Sequence, residues 1–246
     1  AGVVFTLNVK KDPQILTKEE KIYKLEELGI DLLIDCPFVP EISEMSPRSF
    51  VEEILVNRLH VRHIAVGTDF RFGHNREGDA GYLKSLEQVH GFRVDILQKE
   101  QYQGRDISST YVREALDQGN MQLANTLLGT PYLLSGEVLH GRRIGRTLGM
   151  PTVNLMPSAG KYLPPNGVYA SRTIIDDVIY NGITNLGYKP TVGEKFRGAE
   201  TYLFDVDMDL YGKQIVTFLY MFERPEQKFA SLDELKEQMQ KDISFG

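Results

Sequence analysis

Two stretches of this chain hold residue types that could move a phosphoryl group. The first, HGRRIGRTLGMPTVNL at 140–155, carries Arg142, Arg143 and Arg146 among Gly141, Gly145 and Gly149. Glycines let a backbone bend sharply and approach a ligand closely. Guanidinium groups suit phosphate oxygens. No G-x-x-x-x-G-K-[ST] motif occurs in the sequence, so phosphate would be bound by another device. Pro151 biases Met150 toward extended geometry. Thr152 and Asn154, two apart on a strand, then share one face and offer a hydroxyl and an amide oxygen. Neutral oxygens combined with substrate phosphates suit Mg²⁺, which keeps its waters and takes few protein ligands. A solvated hairpin with two polar strand residues fits the same letters about equally well.

The second stretch, RGAETYLFDVD, puts Glu200 at the start of an apolar strand, where a carboxylate could accept a hydroxyl proton. A base, a positioned acceptor and neutralised charge are what phosphoryl transfer requires. A third feature is ISSTYVREAL, with Ser108, Ser109 and Thr110 at a helix start. Free backbone N–H groups there make an anion site, although plain N-capping explains the serines too. With Thr110 as the cap, the position where a capping box wants Glu holds Arg113. A cation in the first turn opposes the helix dipole unless an anion is bound. Finally, GTDFRFGHNREGD follows the apolar run HIAVG, which is where ligand loops belong in an α/β sheet. Asp69, Phe70, Phe72 and Arg76 are its candidates for ligand contact. The competing reading is a polar loop whose aromatics tuck back into the core.

The elements that must position these residues fall into two rhythms. Up to about residue 128, apolar runs (GVVFTL, DLLIDC, HIAVG, FRVDILQ) alternate with helical patterns, which argues for an α/β fold with a parallel sheet. Thr17 with Glu20 predicts a capping box opening a helix over 17–28, and Gly29 stops it. Ser46-Pro47 opens RSFVEEILVNRL, and DAGYLKSLEQVHG, SSTYVREALDQG and NMQLANTLLG read as further helices. From Pro131 onward, short strands separated by Gly, Pro and Asp predict a small antiparallel barrel or sandwich. A closing helix is capped by Ser231 and Glu234, with Leu232, Leu235, Met239 and Ile243 along one face. LGTPY at 128–132 is the expected boundary.

Composition narrows the function. The chain has 246 residues with 25% charged and 41% apolar, a soluble globular mix. A net charge of −6 argues against a broad nucleic-acid face. One cysteine, Cys36, excludes an internal disulfide framework. No apolar run reaches the roughly 18 residues a membrane helix needs, and no signal-peptide pattern opens the sequence. The cytoplasm is the expected compartment. The apolar run AGVVFTL at the very start leads us to expect an upstream segment.

The ordered set GEVLHGRRIGRTLGMPTVNL, GVYA, NLGYKPT, ETYLFDVDMDLYGK and ERPEQKFASLDELKEQMQKD resembles riboflavin kinase. VGTDFRFGHNREGD and ISSTYVREAL resemble the FAD synthetase (FMN adenylyltransferase) module that precedes the kinase in bacterial bifunctional enzymes. The resemblance implies a nucleotidyltransferase-like, Rossmann-type α/β domain at 1–128 and an antiparallel β-barrel kinase domain with a closing helix at 131–246. It implies ATP, riboflavin and FMN as substrates, and Mg²⁺ with ATP phosphate at Thr152 and Asn154. Gly141 and Arg146 would close over the nucleotide, and Glu200 would be the base. Leu203, Asp205 and Tyr211 would contact adenosine, and Arg224 and Phe229 the flavin. In the first half, Asp69, Phe70 and Arg76 would hold nucleotide or flavin, while Ser108, Ser109, Thr110 and Arg113 would bind ATP phosphates. The His-x-Gly-His signature of such nucleotidyltransferases is not formed by any of the five histidines. Either an upstream segment carries it or the first module is degenerate. Competing readings are a flavin- or nucleotide-binding module without chemistry, a kinase-only protein, and a nucleic-acid-binding barrel.

Overall fold

The computed structural model describes the whole chain except residues 9–12, 140–151, 159, 191–194, 207 and 246. It divides into two compact units, Ala1–Lys10 with Gly29–Ile107, and Lys11–Leu28 with Ser108–Gly246.

The first unit is α/β. Strands β1 (Val3–Asn8) and β2 (Leu32–Pro37) pair in parallel, as do β3 (His63–Gly67) and β6 (Arg93–Leu97). Between β3 and β6 lie a small antiparallel pair, β4 (Arg71–Phe72) and β5 (Gly78–Asp79), and the helices α4 (Ala80–Ser85) and α5 (Glu87–His90). The core gathers Phe50, Val51, Ile54, Phe72, Leu83, Phe92 and Val94. Two expected helices differ in detail. The segment after Ser46-Pro47 makes one short α-helical turn and then a π-helix over Phe50–Arg58. The single helix expected from DAGYLKSLEQVHG is broken at Leu86.

The second unit is built on a closed, wholly antiparallel barrel. Its strands are β9 (Tyr132–Leu139), β10 (Thr152–Leu155), β11 (Gly167–Ile175), β12 (Val178–Pro190), β13 (Lys195–Leu203) and β14 (Gln214–Arg224). They close in the order β10-β13-β12-β11-β14-β9. The barrel interior is polar as well as apolar. Thr184 Oγ1 lies 2.8 Å from both Ser171 Oγ and Thr201 Oγ1, and Thr173 and Thr217 pair at 3.0 Å. Each buried hydroxyl thus has a partner, as burial requires.

Three helices early in the sequence belong to the barrel's unit: α1 (Lys18–Glu27), α6 (Ser109–Asp117) and α7 (Met121–Leu128). The expected capping box opens α1, with Thr17 and Glu20 bonding reciprocally. Glu20 does more than cap. Its Oε1 accepts the Ser135 N–H of β9 at 3.1 Å, and its Oε2 accepts Lys161 Nζ at 2.5 Å. Both side chains are 1% exposed. Lys161 also donates to the Ile15 carbonyl, and burial pulls its pKa down to about 8. Asn125 of α7 accepts from Tyr132 N–H and donates to the Leu219 carbonyl, stapling that helix to β9 and β14. Helix α8 (Leu232–Phe245) ends the chain. Ser231 Oγ accepts the Glu234 N–H, while Glu234 accepts from Ala230 N–H, one residue before the serine. Among the described residues, no helix is long and apolar enough to cross a membrane.

Candidate active site

Strand register assembles the barrel's polar site. On β13, Glu200 stands opposite Asn154 of β10 on one side and Asn185 of β12 on the other. Two residues along, Tyr202 stands between Thr152 and Ile183. Directly opposed residues of antiparallel strands point to one face. Two adjacent rows result, Thr152–Tyr202–Ile183 and Asn154–Glu200–Asn185, and Val168 of β11 continues the second. The intervening Thr201 and Thr184 turn inward to the barrel.

Thr152 Oγ1 donates to Glu200 Oε1 at 2.7 Å. That fixes the carboxylate and leaves the hydroxyl's lone pairs available. Thr152 Oγ1 and the Asn154 amide oxygen are therefore hard neutral donors of the kind Mg²⁺ takes. Among the described residues, no group of three or more His, Cys, Asp or Glu is gathered for a metal. A cation here would rely on those neutral oxygens and on phosphate.

The site opens into a cavity of about 220 Å³. Its polar end holds Thr152, Glu200 and Asn185, while Val168, Ile183 and Phe229 continue it as an apolar slot. Leu235, Met239 and Ile243 of α8 form one wall, on the face that their spacing predicts, while the Leu232 side chain lies outside what the structure describes. One clamp holds that wall. Arg224 Nε and Nη2 donate to Asp242 Oδ1 and Oδ2 at 2.8 and 2.6 Å, and Gln238 adds a bond to Oδ1 at 2.7 Å. A β-bulge makes this reach possible. Between the pairs Val168↔Arg224 and Tyr169↔Phe222, Glu223 is the extra residue, and bulges re-aim side chains beside active sites. Gly167 lies against the bulge, where a Cβ would sit 2.3 Å from the Arg224 carbonyl oxygen. Glu223 Oε2 is buried without a hydrogen-bond partner among the described residues. Burial first, and then the neighbouring Asp242 charge, push the Glu223 carboxyl up to about 7.

The predicted kinase residues are distributed as follows. Thr152, Glu200, Arg224 and Phe229 come together around the cavity, and Asn154 is in register with Glu200. Arg224 is engaged with Asp242, and its guanidinium lies 6.0 Å from the Phe229 ring. Leu203 is buried on the β13 face opposite to Glu200, Asp205 is exposed at positive φ after β13, and Tyr211 is half-buried. Gly141 and Arg146, with the rest of the glycine-rich loop, lie outside the described residues. Two residues escaped the sequence reading. Asn185 lies inside NLGYKPT, but no local signal marks it; only the register with Glu200 does. Asp242 reads as an ordinary helix-surface acid until Arg224 is placed beside it.

Of the first-half candidates, Asp69 pairs with Lys99 at 2.7 Å, which holds its carboxyl below the usual range. Phe72 is in the core rather than at a ligand, and Phe70 stacks on it with ring centroids 5.4 Å apart. Asn75 and Arg76 are both left-handed, a backbone cost of the kind stored at functional loops. In the second unit, Ser108 caps α6 and accepts the Tyr111 N–H at 3.2 Å. The cap is thus Ser108 rather than Thr110, and Arg113 falls beyond the first turn, which removes the dipole argument for an anion. Arg113 donates to the Pro13 carbonyl at 3.3 Å and lies over the Tyr162 ring at 5.5 Å. Ser109 and Thr110 are exposed.

A barrel carrying a hydroxyl-bound carboxylate beside an apolar slot shares one chain with an α/β unit, an architecture of two modules. Residues 128–245 match the family model described as riboflavin kinase, and residues 3–111 match that described as FAD synthetase. The bifunctional riboflavin kinase/FMN adenylyltransferase of Escherichia coli K12 is 41% identical over 234 residues, covering 94% of this chain and 74% of the relative. Its Bacillus subtilis counterpart is 37% identical over 238 residues, covering 94% and 74%. A solved structure described as a macrolide-efflux protein from Streptococcus pneumoniae superposes with a TM-score of 0.85 at 28% identity, covering 98% of this chain and 82% of that one. The chain belongs to the bifunctional riboflavin kinase/FMN adenylyltransferase family.

Proposed function

We propose that this protein phosphorylates riboflavin with ATP to give FMN, and adenylylates FMN to give FAD, with the kinase module at 131–246 and the adenylyltransferase module at 1–128. The carrying observation is the Glu200 carboxylate, fixed by the Thr152 hydroxyl at 2.7 Å at the polar end of an apolar slot. The flavin ring system lies in the slot against Phe229 and α8, and its hydroxylated chain points to Glu200. Glu200 then accepts the proton of the terminal hydroxyl as its oxygen attacks the γ-phosphorus. The bond from that phosphorus to the bridging oxygen breaks, and ADP leaves. Most of the acceleration comes from positioning and charge stabilisation, with the base adding to it. Thr152 and Asn154 are the residues that would hold Mg²⁺, which when bound with the nucleotide neutralises phosphate charge. The resemblance assigns the nucleotide to Gly141, Arg146, Leu203, Asp205 and Tyr211. Arg224 acts through Asp242 on the α8 wall. For adenylylation, Asp69, Phe70 and Arg76 are proposed nucleotide or flavin contacts, and Ser108, Ser109, Thr110 and Arg113 phosphate contacts. The reaction belongs in the cytoplasm, where ATP is available.

Chromatography of riboflavin incubated with the purified protein, ATP and Mg²⁺ tests this. FMN is the expected product. Riboflavin that binds but stays unphosphorylated would leave a binding module without chemistry.

A further inference from the structure

Asn185 Oδ1 is buried and has no hydrogen-bond partner among the described residues. Buried acceptors are nearly always satisfied, so one left open beside a cavity is an invitation to a donor. Its position says which donor. Asn185 lines the cavity and stands directly opposite Glu200 across β12 and β13, so the two side chains are neighbours on one face, roughly 5 Å apart at Cβ. Beyond Asn185 the same row becomes apolar at Val168. A ligand lying along the row meets a proton acceptor, then a neutral hydrogen-bond acceptor, then an apolar surface.

We infer that Asn185 positions the acceptor substrate by accepting a hydrogen bond from the hydroxyl next to the one that reacts at Glu200. This rests on the kinase reading above, since that reading places a polyol chain along the row. A carboxamide suits the role. It accepts without carrying charge, so it orients the chain without repelling Glu200 or competing with it for the proton. Asn185 is a specificity device as well as a support. A buried acceptor left unpaired penalises any flavin lacking that hydroxyl.

The test is a binding cycle read by flavin fluorescence, without turnover. Its ligands are riboflavin, an analogue lacking the hydroxyl next to the terminal one, and lumiflavin, which has no hydroxylated chain. Wild-type protein should bind the deoxy analogue roughly tenfold more weakly than riboflavin, the scale of one hydrogen bond. Asn185→Leu should weaken riboflavin by a similar factor, leave lumiflavin unchanged, and show no further loss for the analogue. Additive losses would overturn the pairing. An equal loss of lumiflavin would make Asn185 merely structural, and an increased Mg²⁺ requirement without a flavin effect would move it to the metal. If Asn185→Leu does not fold, Asn185→Ala is used, and equal wild-type affinity for riboflavin and its deoxy analogue is refutation by itself. Because binding is read alone, the two claims fail separately. The predicted cycle without FMN formation sinks the kinase reading, and FMN formation with additive losses sinks only the role of Asn185.

Discussion

Glu223 should give the barrel's unit a distinctive loss of stability with rising pH. Its folded pKa is raised to about 7, by burial and then by Asp242, from an ordinary 4.5. A carboxyl raised on folding favours the protonated form. The stability it contributes is complete below pH 4.5 and is lost as pH rises through about 7, when a charge is forced in beside Asp242. A shift of that size corresponds to about 3 kcal/mol. Glu223 is only partly buried, so solvent screening reduces this to about 1 kcal/mol. Glu223→Gln keeps the shape and stays neutral. Melting followed by circular dichroism from pH 5 to 8.5 should show wild-type Tm falling by about 2–4 °C more than that of the variant. At pH 5 the two should be similar. Parallel curves for the two proteins, or a wild-type Tm that gains on the variant as pH rises, would refute the reasoning.

The Arg224–Asp242 clamp can be broken on one side. Arg224→Ala leaves Asp242, whose side chain is 4% exposed, without its cation, at a cost of about 3 kcal/mol. Urea unfolding should report it, and riboflavin affinity should fall with it as α8 loosens. Lys161→Met strands a buried Glu20 and should destabilise by about 3–5 kcal/mol. Adding Glu20→Gln should recover part of that loss, and equal stability of single and double variants would contradict the pairing. Thr152→Val removes an oxygen from the proposed Mg²⁺ seat. The Mg²⁺ concentration for half-maximal FMN formation should rise, while riboflavin binding without nucleotide stays constant; a loss of that binding would make Thr152 structural.

Local chemistry was legible in the sequence, and register was not. The capping box at Thr17 and Glu20, the apolar face of α8 and the change of rhythm near 131 all rest on spacing within a dozen residues, and all are present. What pairs with Glu20 is 141 residues away at Lys161, and nothing in α1 announces it. Helices α1, α6 and α7 group with the barrel rather than with the strands they alternate with, because their tethers, Glu20 and Lys24 on α1, Asp117 on α6 and Asn125 on α7, reach partners far along the chain. The π-helix at Phe50–Arg58 also escaped. Over nine residues, apolar spacing scarcely distinguishes its winding from an α-helix. Residue type and resemblance single out Thr152, Asn154 and Glu200 as candidates, and Thr152 and Glu200 line one cavity. Asn185 needed the β12–β13 register, and Asp242 needed a bulge that sequence periodicity does not reveal.

The central claim is that Glu200 removes the proton of the hydroxyl that is phosphorylated. Single-turnover formation of FMN from bound riboflavin and ATP tests it most directly, comparing wild type with Glu200→Gln. The glutamine can still accept the Thr152 hydroxyl bond, so fold and riboflavin affinity should be kept while the rate falls by about 10²-fold or more, the scale of general-base catalysis. A near-normal rate in Glu200→Gln would contradict the account.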